Sequence, residues 1–146
     1  MSKLLPISGF HGDYRWLSNF TLCEVELEGV MYPTVEHAYQ AAKTTVKEFR
    51  EAIRLCTTPG QAKRMGKQIT LRPDWEAIKL DVMRGLLREK FSWGYLRVAL
   101  LATGERELIE ENTWYDTFWG VCYGEGQNWL GKLLMEIREE LRGNRS

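Results

Sequence analysis

The chain has 146 residues with 20 basic and 20 acidic side chains, so its formal net charge is zero and the strong basic excess of a nucleic-acid-backbone binder is excluded. A chain of this length can bury a sufficient core without disulfides, and its three cysteines are an odd number with no Cys-x-x-Cys pair. Because no apolar run could span a membrane and no secretory signal is recognisable, we expect a single domain over residues 1–146 in the cytoplasm.

The N-terminal part is predicted to be extended and to lead into helices. Residues 24–28 alternate polar and apolar side chains with the period of a strand, and Gly29 permits a turn into a second strand, which predicts a β-hairpin. Thr34 is a suitable N-cap for a first helix that reaches about Lys43. Further elements are expected in this order: helices over residues 47–55, 59–66, 73–91 and 96–103, a short strand at 108–110, and a last helix capped by Asn128. The predicted fold class is mainly α (α+β), a compact single-domain helical fold with a small N-terminal β-hairpin or sheet.

One face of the first predicted helix carries four polar side chains. Glu36, Tyr39, Gln40 and Lys43 occupy positions i, i+3, i+4 and i+7, and the opposite side is apolar. The pattern indicates either an ordinary solvated face or a cluster of functional groups. Because Glu36 lies in the first turn, the helix dipole favours its ionised form, which suits a base or an electrostatic stabiliser better than a proton donor.

The stretch between Asp116 and Gly131 combines a carboxylate with two tryptophans and four glycines. Aromatic faces can hold a flat ligand and glycines allow a close backbone approach, so the stretch indicates either a binding loop or a structural turn. A carboxylate beside an aromatic ring, as in Asp116 with Trp119, suits a flat, positively charged sugar transition state. The pattern therefore favours hydrolysis of a glycosidic bond.

Motifs of other chemistries are absent from the sequence. The only histidines are His11 and His37, so there is no His-Glu-x-x-His metal motif. A Gly-x-Ser-x-Gly elbow, a Walker loop and a dinucleotide-binding glycine motif are also missing. We therefore expect neither a metal centre nor a cofactor.

An ordered set of short motifs resembles the NADAR (YbiA-like) superfamily. In chain order the matching residues are 17–20, 32–37 with Gln40 and Lys43, 62–66, Trp75, 82–83, 90–91, 101–103, 108–110, 116–120, 126–131 and 134–138. They cover nearly the whole chain. Val121 and Cys122 stand where many members have Asp-Gly, a departure that bears on substrate identity more than on reaction type.

The resemblance implies a compact, mostly helical domain that cleaves the N-glycosidic bond between a ribose and a base or an amine. Substrate classes of the family include ribosylated pyrimidine intermediates of riboflavin biosynthesis and ADP-ribose attached to guanine. The expected partners are thus a small ribonucleotide or an ADP-ribosylated substrate, ADP-ribosylated nucleic acid included, with no membrane partner. The catalytic residues carried over by motif are Glu36, Trp75 and Asp116, although Trp75 also lies on the apolar stripe of its helix, where packing competes with stacking.

The expected mechanism is metal-free hydrolysis in which one carboxylate orients water and stabilises the oxocarbenium-like transition state, while the other holds ribose hydroxyls or assists the leaving group. The sequence leaves the order of Glu36 and Asp116 open. Aromatic rings would clamp the base, amides would supply directional hydrogen bonds and cations would face phosphate. The expected substrate-binding residues are Ser18, Asn19, Phe20, Gln40, Lys43, Arg64, Trp119, Gly120 and Asn128. The rival interpretations are a module that binds ADP-ribose or a related nucleotide without cleaving it, and a purely structural domain.

Overall fold

A computed structural model describes residues 4–143, which form two compact units. The central unit is the continuous segment Asn19–Lys90, and the terminal unit consists of residues 4–18 and 91–143. In chain order the elements are β1 (Ile7–Ser8), a 3-10 helix (Gly12–Leu17), β2 (Val25–Leu27), β3 (Val30–Tyr32), α1 (Val35–Ala42), α2 (Lys47–Arg54), α3 (Pro59–Gly66), α4 (Trp75–Lys90), α5 (Gly94–Ala102), β4 (Leu108–Ile109), β5 (Glu111–Asn112), β6 (Val121–Cys122) and α6 (Trp129–Gly143). None of the helices in this part of the chain is long and apolar enough to cross a membrane.

The predicted hairpin is confirmed in the central unit. Strand β2 pairs antiparallel with β3, and Glu28 and Gly29 form the two-residue turn between them. Their φ angles of 49° and 86° are both positive, as a type I′ turn requires, and glycine adopts such an angle without strain. The cross-strand pair Val25 and Tyr32 is buried, so this face of the hairpin packs against the helices of its unit.

Helix α1 is the centre of the central unit, where it packs against α2, α3, α4 and the hairpin. All eight of its residues are buried, so the solvated face considered from the sequence is wrong. Its start is fixed as predicted by Thr34, whose Oγ1 accepts a hydrogen bond from the His37 backbone N–H at 3.0 Å. The His37 ring completes this cap, because Nδ1 lies 2.8 Å from Thr34 Oγ1 and Nε2 lies 3.0 Å from the Cys56 carbonyl oxygen.

The remaining predicted helices are confirmed with small shifts at their ends. Helix α3 has the predicted bounds because Thr58 caps it and Pro59 occupies its first turn, where a missing N–H costs nothing. Helix α4 is confirmed with bounds of 75–90, and α5 begins at Gly94, two residues earlier than expected. Local capping and helix-breaking residues therefore predict most of the helix boundaries.

The terminal unit is built on two short parallel strand pairs and two helices. Strand β1 pairs with β4, which confirms a strand near residue 108, and β5 pairs with β6. Asn128 stands at the predicted start of α6, because the helix begins at Trp129 and the Asn128 carbonyl oxygen accepts from the Lys132 N–H at 2.9 Å. Its side-chain amide has partners outside the helix. Its Oδ1 accepts from the Glu110 N–H and its Nδ2 donates to the Leu108 carbonyl oxygen, both at 2.9 Å. The amide thus ties the start of α6 to strand β4 rather than to the helix's own N–H groups.

A lysine at the end of α4 lies in the interior. Lys90 is 0% exposed, and burial lowers its pKa from 10.5 to about 8, an effect that the nearby Cys23 partly opposes. The folded protein therefore releases this proton at lower pH than the unfolded chain does. Between these two pKa values the unfolded state binds more protons, so the contribution of Lys90 to stability becomes more favourable as the pH rises.

We expect the free energy of unfolding of the wild type to rise relative to that of Lys90→Met by roughly 1 kcal/mol between about pH 7 and pH 9. Denaturant unfolding at both pH values measures this difference. The window ends at pH 9 because burial raises the pKa of the Cys23 thiol above 9.0. Lys79→Met, on the same helix, is the control and should follow the wild type. Parallel pH profiles for the wild type and Lys90→Met would contradict the assignment.

Candidate active site

Glu36 and Gln40 form the centre of a candidate site in the central unit. They lie one turn apart on α1, and Gln40 Nε2 donates a hydrogen bond to Glu36 Oε2 at 2.6 Å. Glu36 is 8% exposed and Gln40 only 3%. A bond to an ionised acceptor is stronger than one between neutral groups, and the helix N-terminus adds a further favourable interaction. The arrangement thus holds a negative charge in a mostly buried position.

Asn19 lies at the start of α1, where its backbone contacts that of Glu36. Its carbonyl oxygen accepts from the Glu36 backbone N–H at 3.1 Å, which satisfies one of the free donors of the first turn. Its side-chain Nδ2 lies 3.6 Å from Met83 Sδ, and its Oδ1 is buried without a hydrogen-bond partner. Because a buried acceptor without a donor is costly, this oxygen is a suitable contact for a hydroxyl or amino group of a ligand.

Trp75, Tyr39 and Lys43 form a row of neighbouring side chains in the same unit. The Tyr39 and Trp75 ring centroids are 5.2 Å apart with a 57° angle between the planes, and Lys43 Nζ lies 5.5 Å from the Tyr39 ring centroid. Trp75 is 3% exposed. Of the two roles considered for Trp75, its contact with Tyr39 and its burial are those of a packing residue, and any contact with substrate would use a small part of its surface.

Lys43 is the most electrostatically constrained cation near this site. Burial lowers its pKa below 10.5, Glu36 raises it, and the positive charges of Lys63, Lys67 and Lys79 lower it again. The influence of three other lysines shows that positive charge is concentrated around Lys43. Such a concentration of cations suits a phosphate group.

The other expected binding residues of the central unit are exposed. Phe20 is 44% exposed. Arg64 also faces solvent, in the last turn of α3. Neither is held by the hydrogen bonds that organise Glu36 and Gln40, and their part in binding stays a prediction.

In the terminal unit, the Asp116 side chain stabilises a turn that leads to Trp119. Its Oδ1 accepts hydrogen bonds from the backbone N–H groups of Phe118 and Trp119, at 3.1 and 2.9 Å. The Phe118 and Trp119 rings meet edge to face with centroids 4.9 Å apart. Oδ1 of Asp116 therefore has a structural role. If the carboxylate also acts in catalysis, it does so in the orientation that these two hydrogen bonds fix.

Asn112 holds Asp116 from the other side and is not among the residues expected from the sequence. Its Nδ2 donates to the Asp116 carbonyl oxygen at 2.9 Å, and its Oδ1 accepts from the N–H groups of Asp116 and Trp114, at 3.1 and 3.2 Å. Asn112 is 3% exposed. The signal that could have indicated it is an asparagine four residues ahead of Asp-x-x-Trp, since such side chains bond readily to nearby backbone.

The remaining expected residues of the terminal unit serve the backbone. A side chain at Gly120 would place its Cβ 2.1 Å from the Glu110 carbonyl oxygen, so this glycine permits the close strand contact. Asn128 uses both ends of its amide on residues 108 and 110. Ser18 is half-buried, and its N–H donates to the Arg15 carbonyl oxygen at 2.9 Å. For this loop, the structural-turn interpretation accounts for Gly120 and Asn128.

Apart from these clusters, a ligand could bind at a metal site or in a surface depression. Across residues 4–143, no group of three or more His, Cys, Asp and Glu side chains could hold a metal ion. An open depression of about 320 Å³ on the central unit contains none of the expected site residues and is lined by Leu22, Cys23, Glu24, Met31, Pro33 and Arg54.

The fold and this site define a class of protein: a small α+β protein with a carboxylate on a buried helix. A model of the NADAR domain family matches residues 9–142, and the chain therefore belongs to the NADAR family. The NMR structure of the E. coli protein YbiA superimposes with a TM-score of 0.85 and 38% sequence identity, covering 98% of this chain and 89% of that one. The predicted fold class and family resemblance are both confirmed.

Relatives with assigned names extend this comparison. N-glycosidase YbiA of Escherichia coli (strain K12) is 44% identical over 133 residues, which cover 88% of this chain and 82% of that protein. An N-glycosidase of Nostoc punctiforme is 38% identical over 136 residues, covering 88% and 86% of the two chains. A riboflavin biosynthesis protein of Vibrio vulnificus is 38% identical over 143 residues, covering 94% of this chain but 39% of that longer protein.

We expect Asn112→Ala to lower the free energy of unfolding by roughly 1 kcal/mol, because it leaves part-buried backbone groups of the Asp116 loop without this partner. Denaturant unfolding measures the loss, and hydrogen exchange should become faster at the amides of Trp114 and Asp116. Thr113→Ala, at the exposed neighbouring position, is the control and should change neither quantity. Unchanged exchange in Asn112→Ala would show that the loop holds itself together without this side chain.

Proposed function

We propose that the protein is an N-glycosidase that hydrolyses the bond between a ribose, ribose phosphate or ADP-ribose group and a base or amine. The observation that carries the proposal is the Glu36 carboxylate, buried in the first turn of α1 and held by Gln40 at 2.6 Å. The names of the E. coli and Nostoc relatives support the reaction class. The Vibrio relative is named a riboflavin biosynthesis protein, which supports intermediates of that pathway as one substrate class. ADP-ribosylated guanine, the second proposed substrate class, rests on the sequence resemblance alone.

In the proposed reaction a water molecule attacks C1 of the ribose as the C1–N bond breaks. The electron pair of that bond goes to the leaving nitrogen, which takes up a proton from the solvent, and the ring passes through an oxocarbenium-like state. Glu36, ionised and fixed, stabilises that positive charge and accepts the proton of the attacking water. Asn19 Oδ1 accepts a hydrogen bond from a substrate hydroxyl. The part of Asp116 in the reaction rests on the sequence resemblance, and its carboxylate orientation is set by the Phe118 and Trp119 N–H groups.

The lysines around Lys43 support a substrate that carries phosphate. Lys43 lies one turn beyond Gln40, at the C-terminal end of the helix that carries Glu36, and Lys63, Lys67 and Lys79 act on its charge. A ribose phosphate or a diphosphate would neutralise this positive charge while its ribose carbon C1 faces the carboxylate. The proposed substrate class is therefore phosphorylated ribosides rather than free nucleosides.

We expect Glu36→Gln to lower kcat by roughly 100- to 10,000-fold, because the loss of charge removes both the base and the stabiliser of the cation. Ribosyl-aminopyrimidine phosphate and ADP-ribosylated guanosine are the substrates, and release of ribose phosphate or ADP-ribose is the measurement. Glu48→Gln, in the first turn of the exposed helix α2, is the matched control. Asp116→Asn should also lower kcat, with an unchanged melting temperature.

The outcomes of this experiment separate the competing functions. Binding of ADP-ribose by calorimetry without turnover of either substrate would identify a nucleotide-binding module instead of an enzyme. Full activity in both Glu36→Gln and Asp116→Asn would show that the proposed catalytic residues are wrong. Absence of any saturable ribonucleotide binding would favour a purely structural domain.

We expect Lys43→Met to raise KM for a phosphorylated riboside about tenfold and to leave KM for the free nucleoside unchanged, because it removes a charge-assisted contact to phosphate. Since the pKa of Lys43 is lowered, its cation is lost as the pH rises through a value below 10.5, and KM of the wild type should climb in that range. Lys43→Arg should remove this climb. Lys47→Met, an exposed lysine on α2, is the control. Equal changes for both substrates would rule out a phosphate contact.

A further inference from the structure

A glycine on α3 borders the amide of Gln40. Gly66 is the last residue of α3 and is buried. A Cβ added to Gly66 would lie 1.9 Å from Gln40 Oε1 and 2.7 Å from Gln40 Cδ. The amide of Gln40 therefore occupies the space that any side chain at position 66 would need.

The opposite end of the same amide holds the proposed catalytic carboxylate. Gln40 Nε2 donates to Glu36 Oε2 at 2.6 Å, while Oε1 is buried without a hydrogen-bond partner. The orientation is fixed, since the reversed amide would bring two oxygen acceptors together at that short distance. Gln40 is thus confined between the Gly66 backbone and the Glu36 carboxylate. Its burial and the direction of its Nε2 donor are accounted for without a substrate contact.

We propose that Gly66 and Gln40 are positioning residues that hold Glu36 in its reactive orientation, with Gly66 acting only through Gln40. The inference rests on the proposed function for the role of Glu36, but the spatial relation among the three residues stands without it. A side chain at position 66 would displace the amide and break the hydrogen bond from Gln40 Nε2 to the carboxylate. Gln40 is therefore assigned a positioning role here instead of the substrate contact expected from the sequence.

The distances separate this role from simple helix packing. The same added Cβ would lie 3.2 Å from Gln40 Cβ, which is attached to the backbone of α1. That contact is tight by only a few tenths of an ångström, whereas the overlaps with Oε1 and Cδ exceed 0.5 Å and concern the movable end of the side chain. An alanine at position 66 is therefore expected to displace the amide before it separates the two helices. Function should change more than stability.

The test combines Gly66→Ala, Gln40→Met and the double variant. Gln40→Met keeps the length of the side chain but cannot donate a hydrogen bond, so it remains informative if Gly66→Ala does not fold. Each single variant should lower kcat about tenfold with little change in KM. The acid limb of the pH–rate profile should also move to higher pH, because a carboxylate that loses a donor retains its proton more strongly. The double variant should be no worse than Gln40→Met alone.

Two glycines provide matched controls. Gly60 lies on the same helix, where an added Cβ makes only ordinary contacts, and Gly85 lies on α4 with nothing within 4 Å. Gly60→Ala and Gly85→Ala should leave kcat and the acid limb unchanged. Additive losses in the double variant, or an unchanged acid limb in Gln40→Met, would overturn the inference.

A readout that needs no turnover separates this inference from the proposed function. The carbon-13 resonance of the Glu36 carboxyl group, followed against pH, should titrate about one unit higher in Gly66→Ala and Gln40→Met than in the wild type. Gly85→Ala should titrate like the wild type. A wild type that cleaves no riboside would defeat the proposed function and leave this shift in place. Identical titrations in all four proteins would defeat the positioning role whatever the activity.

Discussion

The central constraint of this protein is a negative charge carried by a helix that has no exposed face. Removing a carboxylate from water costs several kcal/mol unless the protein supplies the lost interactions. Around Glu36 they come from the first turn of α1 and from the Gln40 amide. The Asn19 carbonyl and the Thr34 hydroxyl satisfy other groups of that turn, so the donors and acceptors at this end of the helix are organised before any ligand arrives. Preorganisation of this kind is what electrostatic catalysis requires.

The terminal unit uses polar side chains for a different purpose. Asn112, Asp116 and Asn128 all direct amide or carboxylate atoms to nearby backbone groups. These bonds replace regular secondary structure in a segment whose strands have only two residues each. Asp116 and Asn128, which look functional in the sequence, therefore stabilise loops. In the central unit, by contrast, Asn19 Oδ1 and Gln40 Oε1 are buried acceptors that lack a partner.

The elements that could be predicted are those set by neighbours in the chain. The turn at Gly29 and the caps at Thr34 and Thr58 act within a few residues, and each helix or strand they delimit is present. The burial of the polar side of α1 could not be read from periodicity, because it depends on three other helices that surround it. The same holds for Lys90, whose position at a helix end resembles that of an ordinary surface lysine. Asn128 shows the opposite case. Its position predicts a side chain that caps α6, but the amide binds the backbone of residues 108 and 110 instead.

The discontinuity of the terminal unit has a consequence for synthesis of the chain. All contacts that define the central unit join residues within one segment of 72 positions, Asn19–Lys90, so this unit can form as soon as that segment has left the ribosome. The terminal unit needs the pairing of Ile7 with Leu108, which closes a loop of about one hundred residues. Its first strand must therefore wait, unpaired, until most of the chain has been translated. The topology therefore favours one order of assembly on the ribosome: the unit that holds Glu36 forms first, and strands β1 and β4 pair later.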